Sequence, residues 1–210
     1  MHAFRTHVLT ALKVSTSQRD TNSKSGTVEA LDKRRLGQLT NTTISMADEF
    51  LQHQWQWPPR RERRILWLSR RPYSQVVDKV GNEAELLASL RQSLDKAAAT
   101  DSRLSGWQIK DYNPGEAHTF TEQVLTATSA DILMGVHGAG LTHCLYMRTG
   151  SALIELFGGN RGRENRHFDT LCSMVGQRRW EMDVGSLERV APEGVWENVR
   201  QAIEQLDGVE

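Results

Sequence analysis

The stretch DILMGVHGAGLTHCLYMRTGSALIELF, Asp131 to Phe157, packs a strand, a glycine turn, a helix and a second strand into 27 residues. Asp131 to Val136 is short and almost wholly apolar, the composition of a parallel strand covered by helices on both faces. His137 closes it. Gly138 and Gly140 flank Ala139 where the chain must reverse into a helix, and their missing side chains let a ligand approach backbone N–H groups there. Ser151 to Phe157 is the second strand. The whole reads as a βαβ unit with an anion site at its turn, and the positive end of the helix favours phosphate.

The same alternation continues on both sides. Arg64 to Ser69 has strand length, and Asn82 to Leu94 carries Leu86, Leu87, Leu90 and Leu94 at helical spacing, with Asn82 placed to cap it. Trp107 to Tyr112 is the next strand, broken by Asn113-Pro114-Gly115. Phe120 to Ser129 follows as a helix, with Thr119 and Glu122 spaced for a capping box. Beyond Phe157 come a helix over Glu164 to Val175, a strand over Arg178 to Val184 and a closing helix over Val195 to Leu206. Strands each followed by a helix predict an α/β fold, a Rossmann-like parallel sheet of about five strands with helices on both faces, over 64–210. Residues 1–63 lack the alternation and read as a lead-in: helical spacing over Phe4 to Val14, a polar stretch over Ser15 to Gly26, and a second helix over Met46 to Trp57, stopped by Pro58-Pro59.

Charge and composition narrow the function. Lys+Arg and Asp+Glu both total 26, so no net field draws in nucleic acid, and any anion site must be local. The basic run Arg60 to Arg64 lacks interleaved aromatics and reads as a solvated approach to the first strand. No apolar run approaches the roughly twenty residues of a membrane span. The N-terminus has neither an apolar core nor a small-residue cleavage site, which taken literally keeps the chain in the cytosol. Cys144 and Cys172 belong to no metal-spaced cluster; they read as buried thiols, with a disulfide as the alternative in an oxidising compartment. Asn41-Thr42-Thr43 is one glycosylation sequon, which decides nothing alone.

In an open parallel sheet ligands bind at the carboxyl ends of the strands, and three such ends carry chemistry. At Ser69-Arg70-Arg71 an arginine can grip phosphate with its planar fork, and Arg70 is preferred because it follows the strand directly. At His137, Gly138, Ala139, Gly140, Leu141 and Thr142, amides at a helix start would meet a diphosphate, though a structural glycine turn has the same letters. His137 could donate to a phosphate or sugar oxygen or act as a general base, but a histidine at a strand end is more often a hydrogen-bonded structural residue. At Glu155 a carboxylate inside an apolar strand needs partners: two vicinal ribose hydroxyls, the weightier alternative, or a neighbouring arginine. The basic loop Arg161 to His167 opens the following helix and faces the same crevice, where it reads as a solvated loop, with contact to a donor or acceptor as the alternative. There is no G-x-x-x-x-G-K-[ST], H-E-x-x-H or G-x-S-x-G motif, and no Asp-x-Asp pair to hold a divalent ion, so neither metal nor cofactor is implied.

At these residues the chain resembles the family-61 glycosyltransferases. The similarity rests on ILWLSRR (Ile65 to Arg71), TEQVLTATSADILMGVHGAGLTH (Thr121 to His143) and GSALIELF (Gly150 to Phe157), with a weaker match at His2 to Val14. It implies a GT-B architecture whose C-terminal half this domain would be, and inverting transfer by single displacement from a nucleotide-sugar donor, a uridine diphosphate sugar, to a glycoprotein or glycan hydroxyl. The resemblance also implies a secretory-pathway lumen as the site of action. It assigns Arg70 to the diphosphate, His137 to Thr142 to the donor and Glu155 to the nucleoside. Met147-Arg148-Thr149-Gly150 departs from the family, which commonly has proline before that glycine, so a looser loop is expected. The family's N-terminal acceptor domain is expected to be missing, which would leave the isolated chain a poor catalyst.

Two other readings compete. A nicotinamide-binding oxidoreductase domain fits poorly, because His143 stands where G-x-G-x-x-G needs its third glycine. A non-catalytic remnant or partner-binding module would expose the apolar face its lost domain once covered.

Overall fold

The computed structural model describes residues 63–71, 78–117, 119–159 and 166–207. The lead-in expected over 1–63 lies outside these residues except for Arg63, which opens the first strand. Five strands, β1 (Arg63–Leu68), β2 (Trp107–Tyr112), β3 (Ile132–Val136), β4 (Ala152–Phe157) and β5 (Arg178–Asp183), form one sheet. All pairings are parallel and the order is β2-β1-β3-β4-β5. Every residue of β3 and β4 is buried, whereas the edge strands β2 and β5 retain exposed positions. That contrast explains why ILMGV and ALIELF are continuous apolar runs and RRWEMD is not.

Between the strands run the helices α1 (Glu83–Ala98), α2 (Phe120–Thr128), α3 (His167–Val175) and α4 (Pro192–Asp207). One face of the sheet packs Ile65, Trp67, Ile132, Met134 and Ile154 against Leu86 and Leu90 of α1 and Val199 and Ile203 of α4. On the other face Leu66, Leu68, Leu133 and Leu153 meet Phe168 and Cys172 of α3 and the segment that follows β3. Cys144 and Cys172 meet in that second core as buried thiols, not joined in a disulfide. Cys144 hydrogen-bonds the Cys172 thiol and lowers its pKa, against burial, with Arg179 adding to the lowering.

That segment is the main departure from expectation. Ala139–Tyr146 is a 3₁₀ helix, not an α-helix. The buried side chains suit that pitch: Leu141 and Cys144 in the helix and Met147, the extended residue that ends it, are all fully buried and recur every third residue. A helix of 3.0 residues per turn stacks them in one line, where an α-helix would rotate them apart. The loop after it is tied down, with Gly150 N–H donating to the Gly176 carbonyl at 2.8 Å and Ser151 Oγ to the Arg148 carbonyl at 2.6 Å.

Other boundaries moved for local reasons. Helix α1 runs on through Ala97 and Ala98, strong helix formers beyond the leucine stripe. Helix α4 begins at Pro192, whose fixed φ and missing N–H suit a first helical position. Helix α3 begins at His167, and Arg166 before it is non-helical; the rest of its expected first turn lies outside the described residues. The capping box of α2 forms as its sequence predicts, Glu122 N–H to Thr119 Oγ1 at 3.2 Å and Thr119 N–H to Glu122 Oε2 at 3.1 Å.

Asn82 does not cap α1. Its Nδ2 donates to the Val190 carbonyl at 3.0 Å and its Oδ1 accepts from the Val190 N–H at 2.8 Å, joining the starts of α1 and α4. Val190 is 1% exposed, so losing the amide strands two backbone groups away from water. Asn82→Ala should cost about 1–3 kcal/mol in urea denaturation. Asn82→Ser, which keeps capping capacity but cannot reach both groups, should not restore the loss.

Candidate functional site

Strands β1 and β3 are neighbours, but β1 leads outward to β2 while β3 leads to β4, so the chain diverges at their carboxyl ends and opens a crevice. The register pairs Leu68 with Gly135, which sets the residues just after β1 beside those just after β3. Arg70 and Gly138 meet there. A Cβ built on Gly138 would stand 1.7 Å from Arg70 Nη2, so the guanidinium occupies the space a side chain would need. Gly138 also has φ +151, which side chains disfavour.

The Arg70 guanidinium is half-buried, and its Nη1 donates to the Asp78 carbonyl at 3.2 Å. Among the described residues it makes no ion pair. Burial pushes its pKa below the usual arginine value, and the nearby Asp78 carboxylate only partly offsets this. Arginine stays protonated regardless, so burial raises the cost of holding the charge there without removing it. Arg71 is spent elsewhere: its Nε meets Glu83 Oε1 at 2.8 Å and its Nη2 pairs with Asp111.

The expected site residues divide. In the 3₁₀ helix the first hydrogen bond runs from Leu141 N–H to the Gly138 carbonyl at 2.9 Å, so the amides of Ala139 and Gly140 precede it and follow the glycine that Arg70 touches. Gly140 is small for packing, since a Cβ there would come 2.5 Å from Leu68 Cδ2. Leu141 is fully buried in the core, and its side chain is not presented to a ligand. Ser69 is 2% exposed and donates its hydroxyl to Glu83 Oε1 at 2.6 Å, on the side of the sheet end where Arg71 lies. Ala139 and Thr142 are exposed.

A cleft of about 690 Å³ lies next to this point, with His137, Gly138, Ala139 and Thr142 on one wall and Arg166, His167, Phe168, Thr170 and Leu171 of the α3 start on the other. Gly138 belongs to both features. Arg70 does not line the cleft itself and touches its wall through that glycine. His137 packs edge-on against Phe168, ring centroids 5.6 Å apart.

Glu155 is 1% exposed and its partners come from the protein. Its Oε2 accepts from Arg179 Nε at 2.9 Å and Nη2 at 2.7 Å, and its Oε1 bonds His137 Nδ1. Of the alternatives open for this carboxylate, the arginine is the one in place. Arg179 also pairs with Glu181 at 2.7 Å; burial alone would lower its pKa, but the two carboxylates outweigh that and raise it. Nothing in the sequence had singled out Arg179. The available signal was its alternation with Glu181 in a strand otherwise carrying Trp180 and Met182. Among the described residues no group of three or more His, Cys, Asp or Glu side chains is arranged to hold a metal ion. No helix among them is long and apolar enough to cross a membrane.

The family model described as Glycosyltransferase 61 matches residues 25–154, from the lead-in through β1 and β3 and into β4. The chain belongs to glycosyltransferase family 61. Within the family it is similar to the EGF domain-specific O-linked N-acetylglucosamine transferase of Drosophila melanogaster, 39% identical over 113 residues, which are 52% of this chain and 19% of that protein. It is also similar to the human protein O-linked-mannose beta-1,4-N-acetylglucosaminyltransferase 2, 34% identical over 76 residues, 36% of this chain and 11% of the other. The chain thus spans only a minor part of the length of these relatives. Among solved structures, an oxidoreductase from Corynebacterium diphtheriae aligns over 70% of this chain and 96% of its own at 13% identity and a TM-score of 0.42, too distant to bear on function.

The Arg70–Gly138 contact can be tested without any ligand. Gly138→Ala should destabilise the family-61 domain by about 1–3 kcal/mol, and by clearly less in an Arg70→Ala background, where the guanidinium no longer blocks the methyl. A double-mutant cycle in urea measures that coupling. Equal costs in the two backgrounds would mean that something other than Arg70 fills the space.

Proposed function

We propose that the crevice between β1 and β3 holds the diphosphate of a nucleotide sugar, a uridine diphosphate sugar, and that the protein transfers the sugar with inversion to a hydroxyl of a protein or glycan. The observation that carries this reading is the Arg70 guanidinium: half-buried, without an ion pair among the described residues, and laid against the glycine that precedes the Ala139 and Gly140 amides at the start of the 3₁₀ helix. A diphosphate would supply the missing negative charge, accepting from Arg70 on one side and from the Ala139 and Gly140 N–H groups on the other. Family membership and the activities for which both relatives are named support the same chemistry.

In the proposed reaction the acceptor oxygen attacks the anomeric carbon as the bond to the diphosphate oxygen breaks. The departing diphosphate takes that electron pair, and its added charge is what Arg70 and the amides stabilise. The hydroxyl proton must pass to a base, and His137 in the cleft wall is the residue we assign. The adjoining cleft takes the sugar, with Thr142 and the α3 start around it. On this reading the domain corresponds to the donor half of a GT-B enzyme, 64–210, following the 1–63 segment. Glu155, engaged inside the protein, acts through His137 and not on the nucleoside, while Ser69 and Leu141 support the site from the core. The dinucleotide alternative finds no help: at the place of the third glycine, His143 donates from Nδ1 to the Gly140 carbonyl at 2.7 Å, with Nε2 3.2 Å from Gln123 Oε1.

Titration calorimetry with uridine diphosphate should show binding to the chain and a loss of roughly 10- to 100-fold in Arg70→Ala, the worth of a charge-assisted hydrogen bond to phosphate. Equal affinities for the two proteins would defeat the role given to Arg70, and tighter binding of NADH than of uridine diphosphate would favour the oxidoreductase reading.

A further inference from the structure

Three side chains from three adjacent strands form a line that ends at the cleft. Arg179 on β5 is 11% exposed and donates twice to Glu155 Oε2, and Glu155 on β4, almost fully buried, holds His137 Nδ1 at the end of β3 through its other oxygen. The register makes this possible. Gly135 pairs with Glu155 and Leu153 with Arg179, and side chains at alternate positions share a face, so His137, Glu155 and Arg179 all project to the face that carries α3. Gly135, directly opposite Glu155, has no side chain to come between them.

We propose that Arg179 is a positioning residue for His137, acting through Glu155. A carboxylate paired with a guanidinium can only accept, so the nitrogen it meets must donate, and that nitrogen is Nδ1. The neutral ring is thereby held as the Nδ1–H tautomer with its lone pair on Nε2, the form in which an imidazole can take a proton from a hydroxyl. Phe168 fixes the tilt of the ring from the α3 side. Arg179 sets the carboxylate's rotamer by two donors to one oxygen, which leaves the other oxygen aimed at His137, and its pairing with Glu181 anchors the guanidinium in turn. The catalytic meaning of this arrangement rests on the donor-site reading above, but the tautomer it dictates does not.

Two-bond proton–nitrogen spectra of the nitrogen-15-labelled chain, recorded about two pH units above the ordinary histidine pKa, report the tautomer of each ring. His137, assigned by loss of its signals in His137→Asn, should show the Nδ1–H pattern in the wild type. Arg179→Met should convert it to a mixture with the Nε2–H form, and Arg179→Lys should restore part of the wild-type signature. Uridine diphosphate affinity should stay within about twofold in Arg179→Met, because the Arg70 contact is intact. An Nε2–H ring in the wild type overturns the proposal whether or not any variant folds, and so does an Nδ1–H signature that survives Arg179→Met. Failure of the wild type to bind uridine diphosphate would instead defeat the donor reading, with the tautomer still deciding the relay.

Discussion

The architecture depends on two central strands that have no face toward water. Every residue of β3 and β4 is buried, so the sheet needs cover on both sides, and parallel pairing supplies it by returning each strand through a helical crossover. A consequence is that all five strands end on the same edge. Polar groups that cannot be tolerated within β3 or β4 collect at that edge, where His137 and Gly138 follow one strand and Arg70 its neighbour.

Burial then sets the electrostatics. Glu155 is the one charged residue within the two central strands, and leaving it alone there would cost several kcal/mol. It is accommodated because Arg179 and His137 reach it from both adjacent strands. Arg70 is the opposite case, a half-buried cation that makes no direct ion pair among the described residues and has only the nearby Asp78 carboxylate to offset its burial in part. One charge is neutralised by direct ion pairing within the protein, and the other is the one to which the proposed function assigns a diphosphate. This contrast separates a structural ion pair from a candidate anion site more sharply than residue type does, since both centres are an arginine near a strand end.

The glycines of HGAG show how a motif legible in the sequence gains a packing reason only in the fold. Both were expected to clear a path for a ligand. Gly138 clears one for Arg70, and Gly140 makes room for Leu68. The 3₁₀ helix after them was legible after the fact in the three-residue spacing of Leu141, Cys144 and Met147, but an apolar run beside a glycine turn does not distinguish that spacing from helical spacing until the core it faces is known.

The positions of the strands along the chain, the α2 capping box and the place of Arg70 and His137 at strand ends were all determined locally, by apolar periodicity and by residues a few positions apart. Such patterns reflect the preferences of short segments, and short segments need no partner to express them. The pairing of Asn82 with Val190, 108 residues away, and the convergence of Arg179, Glu155 and His137 were decided only by tertiary structure. Which carboxylate meets which cation depends on strand order and register, and a one-residue slip would turn Arg179 to the opposite face of the sheet.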